Sequence, residues 1–322
     1  MTRKIVQFPH PQSEYKPNKH NKLIGKDKKH TAWKLNNHCR RFIKTVGSYV
    51  DGKDNLKTSD ICFWGEFEGV NVITDISSSA ETEKHPHFLH TPCYVKLKDY
   101  DNVFGNENKS YQNTDPYVFG NSFMYSNCKM TGQMRELAKG SIIIFGGLIK
   151  GEWCVDTVFV VEERLEKRIN SLDDAKKMLD DKVISQEFYE TTLAPIFFQT
   201  ENDNNTRKCG SCSSSPKSNT SRPEIIIYKG ATYDNQINDM YSFFPCKPYN
   251  NSEKFSFARP QIKLDIMTPN LKQNLKYCNE SDISEEYSIW NEIKEQIIGK
   301  GLYLGVSAEE PKKLEIKNLT KT

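Results

Sequence analysis

The sequence predicts an α+β fold: a mixed or antiparallel sheet core with flanking helices and a disordered Asn/Ser-rich insertion. Three observations carry that expectation. β-forming runs crowd the first half, as in Ile61-Cys62-Phe63 and Ser141 to Phe145. Helical patterns are scattered among and after them without the regular alternation of a βαβ fold. One stretch, 200–223, is polar and almost free of large apolar side chains, too little to offset the entropy of ordering it.

Along the chain, Lys4 to Phe8 is a short apolar strand stopped by Pro9 and Pro11. Thr31 to Val46 has helical spacing through Trp33, Leu35, Phe42, Ile43 and Val46, with Gly47 as its stop. Asp60 to Ile76 reads as one or two strands broken at Gly69, and Thr91 to Leu97 as another. A short helix from Gly132 ends at Lys139-Gly140. Ser141 to Phe145 and Trp153 to Val161 then form a buried hairpin or core pair around Gly146-Gly147. Ser171 caps a helix to about Asp181, and Ser185 caps a second from Gln186 to Leu193, before Pro195. After the insertion come strands at Glu224 to Tyr228 and Gln261 to Asp265, with an aromatic patch at Tyr241 to Tyr249 between them. A helix over Ser284 to Ile298 follows, stopped by Gly299, and a strand over Gly301 to Val306. The expected organisation is a core over 1–165 carrying the site, a helical segment over 166–199, and a mobile, dispensable linker over 200–223. Residues 224–306 complete the core or form a second subdomain, and 307–322 are a polar tail.

The 322 residues suffice to bury a core without disulfides or metals. Charged residues at 27% and hydrophobic ones at 36% exclude a fully disordered chain, a collagen and a coiled-coil rod. The longest apolar run, Ser141 to Ile149, falls short of the roughly 20 residues of a spanning helix, and no apolar leader opens the sequence. The expectation is a cytoplasmic protein with no membrane partner. Net charge is +3, yet residues 1–50 hold 12 Lys/Arg against Glu14 and Asp27, so the remainder is net acidic. A basic first segment suits a polyanion, and equally a solvated lysine-rich loop.

Nine cysteines mostly sit beside apolar residues and read as small core residues in a reducing compartment. Cys209-Gly-Ser-Cys212 lacks a second ligand pair. His85-Pro-His87-Phe-Leu-His90-Thr-Pro-Cys93 holds four possible metal ligands in one extended segment, where alternation turns His90 away from His85 and His87. No metal is expected, and no cofactor is named. Neither phosphate-cradling glycine loop, HExxH nor GxSxG is present.

Candidate chemistry lies in four dense stretches. His10 stands at a strand end in Phe8-Pro9-His10-Pro11. In Asn36-Asn37-His38-Cys39-Arg40-Arg41, helical spacing puts Asn37 and Arg41 on one face. The Arg40 and Arg41 guanidiniums suit phosphate through bidentate hydrogen bonds. In Trp64-Gly65-Glu66-Phe67-Glu68, alternation sets Trp64, Glu66 and Glu68 opposite Phe63 and Phe67. That face reads as a stacking platform beside an acid, or as a core edge with two solvated glutamates. The densest stretch runs from Asn113 through Thr114, Asp115 and Pro116 to Gly120, then Phe123 to Cys128. Asn113 can read a base edge, Phe119 and Tyr125 can stack, and Asp115 can hold a ribose hydroxyl or activate water. The plainer reading is a packed turn whose Asn113 and Asp115 cap the backbone.

The set FPHP (8–11), NHCRRF (37–42), WGEFE (64–68), NTDPYVFG (113–120), FMYSNC (123–128) and FARP (257–260) resembles an uncharacterised bacterial protein family. The resemblance runs over most of the chain, weakest in 166–223, and implies no activity. FARP adds Arg259 to the candidate site.

The expected function is an enzyme acting on a nucleotide or nucleic acid, in its sharpest form cleavage or transfer at an N-glycosidic bond. Glu66 and Asp115 would be catalytic. His10, Asn37, Arg40, Arg41, Trp64, Asn113, Phe119, Tyr125 and Arg259 would bind substrate. The alternatives are a non-catalytic module binding a modified base or nucleotide, and a protein–protein interaction component. The residues fix neither substrate nor oligomeric state.

Overall fold

The computed structural model describes residues 2–17, 23–24, 29–34, 38–76, 85–104, 111–126, 132–165, 168–197, 224–250, 257–268, 271, 275–279 and 282–319. The 200–223 linker, the Cys209/Cys212 pair and Asn37 lie outside them.

The fold is α+β, with mixed sheets and a few helices. The first sheet orders its strands β13 (Lys276–Asn279), β1 (Lys4–Pro9), β9 (Ile142–Ile149), β10 (Glu152–Arg164), β11 (Tyr228–Gly230) and β8 (Met124–Tyr125). β1 runs parallel to β9 and antiparallel to β13. The second sheet runs β14 (Tyr303–Ala308), β12 (Phe244–Pro248), β5 (Leu56–Glu66), β4 (Arg40–Val50), β7 (Phe88–Tyr94), β6 (Asn71–Ile76), β3 (His30–Thr31) and β2 (Leu23–Ile24). β14 also pairs with the far end of β4, Leu304 against Val50, closing β4, β5, β12 and β14 into a small barrel. β15 (Lys312–Lys313) adds in parallel to β7, so the polar tail extends the sheet, and Leu319 is buried.

Strands β1, β9 and β10 are buried on both faces along most of their length, which is why these segments read as continuous apolar runs. Ile43, Ile61 and Phe63 join Val6, Phe8, Ile143 and Phe145 in one core. Phe42, Cys62 and Trp64 join Ile5, Ile142 and Ile144 in another. α2 (Leu172–Asp180) and α3 (Gln186–Phe188) pack on the first core through Ala175, Met178 and Phe188. α4 (Ile283–Ile298) covers the second through Ile289, Trp290, Ile293 and Ile297. A separate cluster beside α1 (Leu97–Phe104) gathers Trp33, Tyr100 and Tyr111. No helix among the described residues is long and apolar enough to cross a membrane.

Both serine caps form: Ser171 accepts from the Asp174 N–H and Ser185 from the Phe188 N–H. The helix after Ser185 widens to a π turn over Tyr189–Leu193 and stays helical to residue 197. The Ala194 N–H donates to the Tyr189 carbonyl, and the next residue, Pro195, has no N–H to give.

Four expectations are corrected. Thr31 to Val46 is not one helix: Arg40 to Val46 belong to strand β4, and Thr31 to strand β3. Ile43, Thr45 and Val46 are β-branched and stiff at χ1, and β5 pairs with β4 along its whole length. Gly47 lies inside that strand. Gly146-Gly147 is not a turn but part of β9, and the hairpin reverses at Lys150-Gly151, both at positive φ (53° and 84°). Gln261 to Asp265 makes one isolated bridge, Gln261 to Cys154, not a strand.

Candidate functional site

The first-sheet strand β10 and the start of the β4–β5 hairpin meet around a buried charged network. Arg40 and Glu66 stand directly opposite in the β4–β5 ladder and form an ion pair. A strand sends neighbours to opposite faces, so Arg40 and Arg41 part company. Arg41 pairs instead with Glu68 (3.5 Å), donates to the Phe67 carbonyl, and lies 4.6 Å from the Tyr15 ring centre. His38 Nδ1 bridges the two acids, 3.4 Å from Glu66 and 3.2 Å from Glu68.

The Asn113–Asp115 turn docks onto this hairpin. The Asp115 N–H donates to Glu66 Oε1 (3.0 Å), and the Glu68 N–H donates to the Thr114 hydroxyl (3.0 Å). The Asp115 carboxylate accepts from the Ser126 N–H (2.9 Å). The structure therefore brings Glu66 and Asp115 together through a backbone bond, with both carboxylates engaged. Asn113 is buried beside them, and its Nδ2 finds no hydrogen-bond partner among the described residues.

The opposite wall comes from β10. The chain of residues 259–262 runs along its edge: the Val155 N–H donates to the Pro260 carbonyl and the Ile262 N–H to the Trp153 carbonyl. This places Arg259 over Trp64, its guanidinium carbon 3.8 Å from the ring centre, while its Nη1 donates to the Gln12 carbonyl (3.0 Å). Trp64 is thus no open platform; Arg259 covers it and Phe42 packs edge-on. His10 stacks on Phe145 with centroids 4.9 Å apart.

Asp156 completes the wall. Val155 pairs with Gly146 and Thr157 with Phe145, so Asp156 is the extra residue of a β-bulge, a device that re-aims a side chain. It is 3% exposed, Gln12 Nε2 donates to its Oδ2 (3.0 Å), and its Oδ1 is unpaired among the described residues. Burial pushes its carboxyl up to about 6, against the pull of Arg40, Gln12 and Arg259. Glu68 moves the other way. Burial raises it, but hydrogen bonding from His38, the Arg41 and His38 charges and the Cys39 N–H outweigh burial and hold it below the carboxylate range. Two acids in one network are thereby driven apart.

Phe119 and Tyr125 do not join the site. Phe119 packs on Tyr117 and Phe67, and Tyr125 on Phe8, Phe145 and Tyr228, all in the first core. The helical face shared by Asn37 and Arg41 does not exist on the Arg41 side, which is strand. Sequence reasoning missed Asp156 and Gln12. The available signal for Asp156 was a lone acid inside the apolar run Trp153 to Val161.

His38, Glu66 and Glu68 bring three ligand atoms within 4.8 Å of one another and could hold a metal. Arg40 and Arg41 already take the outer oxygens of both carboxylates. The His85–Cys93 cluster is dispersed: His87 pairs with Glu14, while His90 and Cys93 are buried in place. Buried Cys62 and Cys246 have thiols pushed up by burial, far from nucleophilic range. Comparison with protein-family models, curated proteins and solved structures finds no match.

Proposed function

We propose that this network is the centre of an enzyme acting on a nucleotide or nucleic acid, cleaving or transferring at an N-glycosidic bond. The observation that carries the reading is Asp156: a buried carboxyl raised to about 6, with one oxygen unpaired among the described residues, beside Arg40 and Arg259. A carboxyl holding its proton near pH 6 suits general acid catalysis. It would donate that proton to the departing base nitrogen as the C–N bond breaks; a water or acceptor hydroxyl would then add to the sugar carbon and return its proton to the Asp156 carboxylate. Arg40 and Arg259 supply charge for phosphate, and Trp64 an indole face once Arg259 swings to a ligand. Glu66 and Asp115 become positioning residues that fix Arg40 and the Asn113 turn.

The non-catalytic module remains the second reading, favoured by the engagement of both Glu66 and Asp115 in holding the fold. The test is incubation with nucleosides, 5′-nucleotides, dinucleotides and oligonucleotides, with free base followed by chromatography. Base release that is lost in Asp156→Asn supports the enzyme. Binding that survives Asp156→Asn and is lost in Trp64→Ala, without release, supports the module. No binding and no release by the folded protein overturns both.

A further inference from the structure

Residues 10–15 form a strap between the two sheets. The His10 N–H donates to the Gly146 carbonyl of β9 (2.7 Å), and the Tyr15 N–H to the Arg40 carbonyl of β4 (2.8 Å). Between these anchors Pro11 and Ser13 are exposed, while the Gln12 side chain turns inward. Its carboxamide sits between an acid and a cation. Nε2 donates to Asp156 Oδ2 (3.0 Å) and to the His10 carbonyl (3.2 Å), and Oε1 accepts from Arg259 Nη1 (3.2 Å).

The floor under that carboxamide is bare backbone. Gly147 lies inside β9, where a glycine marks the close approach of another group. A Cβ there would stand 2.6 Å from Gln12 Cγ and 2.7 Å from its Nε2. Gly147 thus leaves room for a flat group laid against the strand. Two further atoms of this network are buried and left over. Asp156 Oδ1 and Trp64 Nε1, in residues 3% and 2% exposed, have no hydrogen-bond partner among the described residues. A buried polar atom without a partner is costly, so such atoms point to a group that supplies the bond. Gln12 reaches in from the surface and satisfies only part of what the site presents.

We propose that Gln12 is a plug seated in a nucleobase subsite, and that the ligand it stands in for is an oxo base, a planar ring with an N–H beside a carbonyl, as in uracil or hypoxanthine. The inference rests on reading the Asp156 network as a nucleotide site, and names the base it takes. The edge of such a ring repeats the Gln12 carboxamide, with donor nitrogen and acceptor oxygen on one carbon. Asp156 Oδ2 accepts from its N–H, and Arg259 Nη1 donates to its oxygen. Asp156 keeps Oδ1 for its proton, because a carboxylic acid accepts at one oxygen and donates at the other. The guanidinium has further N–H groups for a phosphate. Adenine and cytosine place a ring nitrogen beside their amino group, where Gln12 has its carbonyl oxygen. Unplugging moves the Gln12 side chain and its two exposed neighbours, while the His10 and Tyr15 anchors hold.

The test is isothermal titration calorimetry with uracil and hypoxanthine, and with adenine and cytosine alongside, on the wild type, Gln12→Ala and Asp156→Asn. Circular dichroism establishes that each variant is folded. Gln12→Asn, which draws the amide back by one methylene, replaces Gln12→Ala if that variant does not fold. The expected result is saturable binding of the oxo bases, tightened about tenfold or more by Gln12→Ala because no plug competes, and weakened by Asp156→Asn. Equal or tighter binding of adenine and cytosine overturns the proposal. So does an affinity unchanged by removal of the plug, or no base binding by the folded plug-free variant. Base release from nucleosides without preference for oxo bases overturns it and leaves the enzyme reading standing. Oxo-base binding in the expected pattern without release supports it and removes the enzyme reading instead.

Discussion

The Arg259 guanidinium lies 3.8 Å from the centre of the Trp64 ring, joining residues 195 positions apart in the chain. A delocalised cation against the indole face, with Nη1 still reaching Gln12, is a property of guanidinium that an ammonium lacks. Arg259→Lys keeps the charge and loses both. It is expected to lower the unfolding free energy by about 1–3 kcal/mol, measured by urea titration, with a change in Trp64 fluorescence. An unchanged midpoint would contradict the arrangement.

Asp156 links stability to pH. Its folded value, about 6, stands above the unfolded 3.8. The folded state therefore holds the extra proton between these values, and stability falls as pH rises through that window. The stabilisation by the proton is full below about pH 4 and gone above about pH 6, a loss of about 3 kcal/mol. Asp156→Asn removes this component. Denaturant unfolding from pH 4 to 7 should show the two profiles diverging over this window, the wild type declining more. Parallel profiles would refute the assignment.

Glu68 is the counter-charge of Arg41 in a wholly buried setting. Glu68→Gln leaves Arg41 buried and uncompensated, at an expected cost of about 3–5 kcal/mol. The double variant Glu68→Gln/Arg41→Met should recover much of it, because both charges are then gone. A double-mutant cycle by chemical denaturation measures the coupling. Additive losses would show that the pair is not a unit.

Two glycines of the β9–β10 hairpin should respond differently to alanine. At Gly146 a Cβ would sit 2.3 Å from the Cys154 carbonyl, a backbone atom that cannot step aside. At Gly151 nothing lies within 4 Å, and only the positive φ of 84° resists. Gly151→Ala is expected to cost about 1–2 kcal/mol and Gly146→Ala clearly more, with loss of the folded state as its limit. Thermal melting of the two proteins decides the order.

The legible parts of this fold were those written in local chemistry. The Ser171 and Ser185 caps, the α4 stripe and the two apolar runs of the hairpin each rest on neighbours within a few residues. The helix expected over Thr31 to Val46 failed because Phe42, Ile43 and Val46 fit helical spacing, while the partner that makes them a strand, β5, lies beyond a turn. The site was legible as separate dense stretches, and the joining of Glu66 to Asp115 followed from docking one turn on one hairpin. Asp156 showed in the sequence only as a lone acid in an apolar run; the bulge that aims it is a property of two strands and leaves no mark in one.

The barrel closure has a consequence in time. During synthesis β4 meets β5 and β7 soon after they emerge, but its far edge at Gly47 to Val50 belongs to Gly305 to Ala308. Likewise β1 must wait for β9, and then for β13, before both its edges are covered. The earliest strands of this chain thus spend most of translation as open templates, and their protection on the ribosome falls to something other than their native partners.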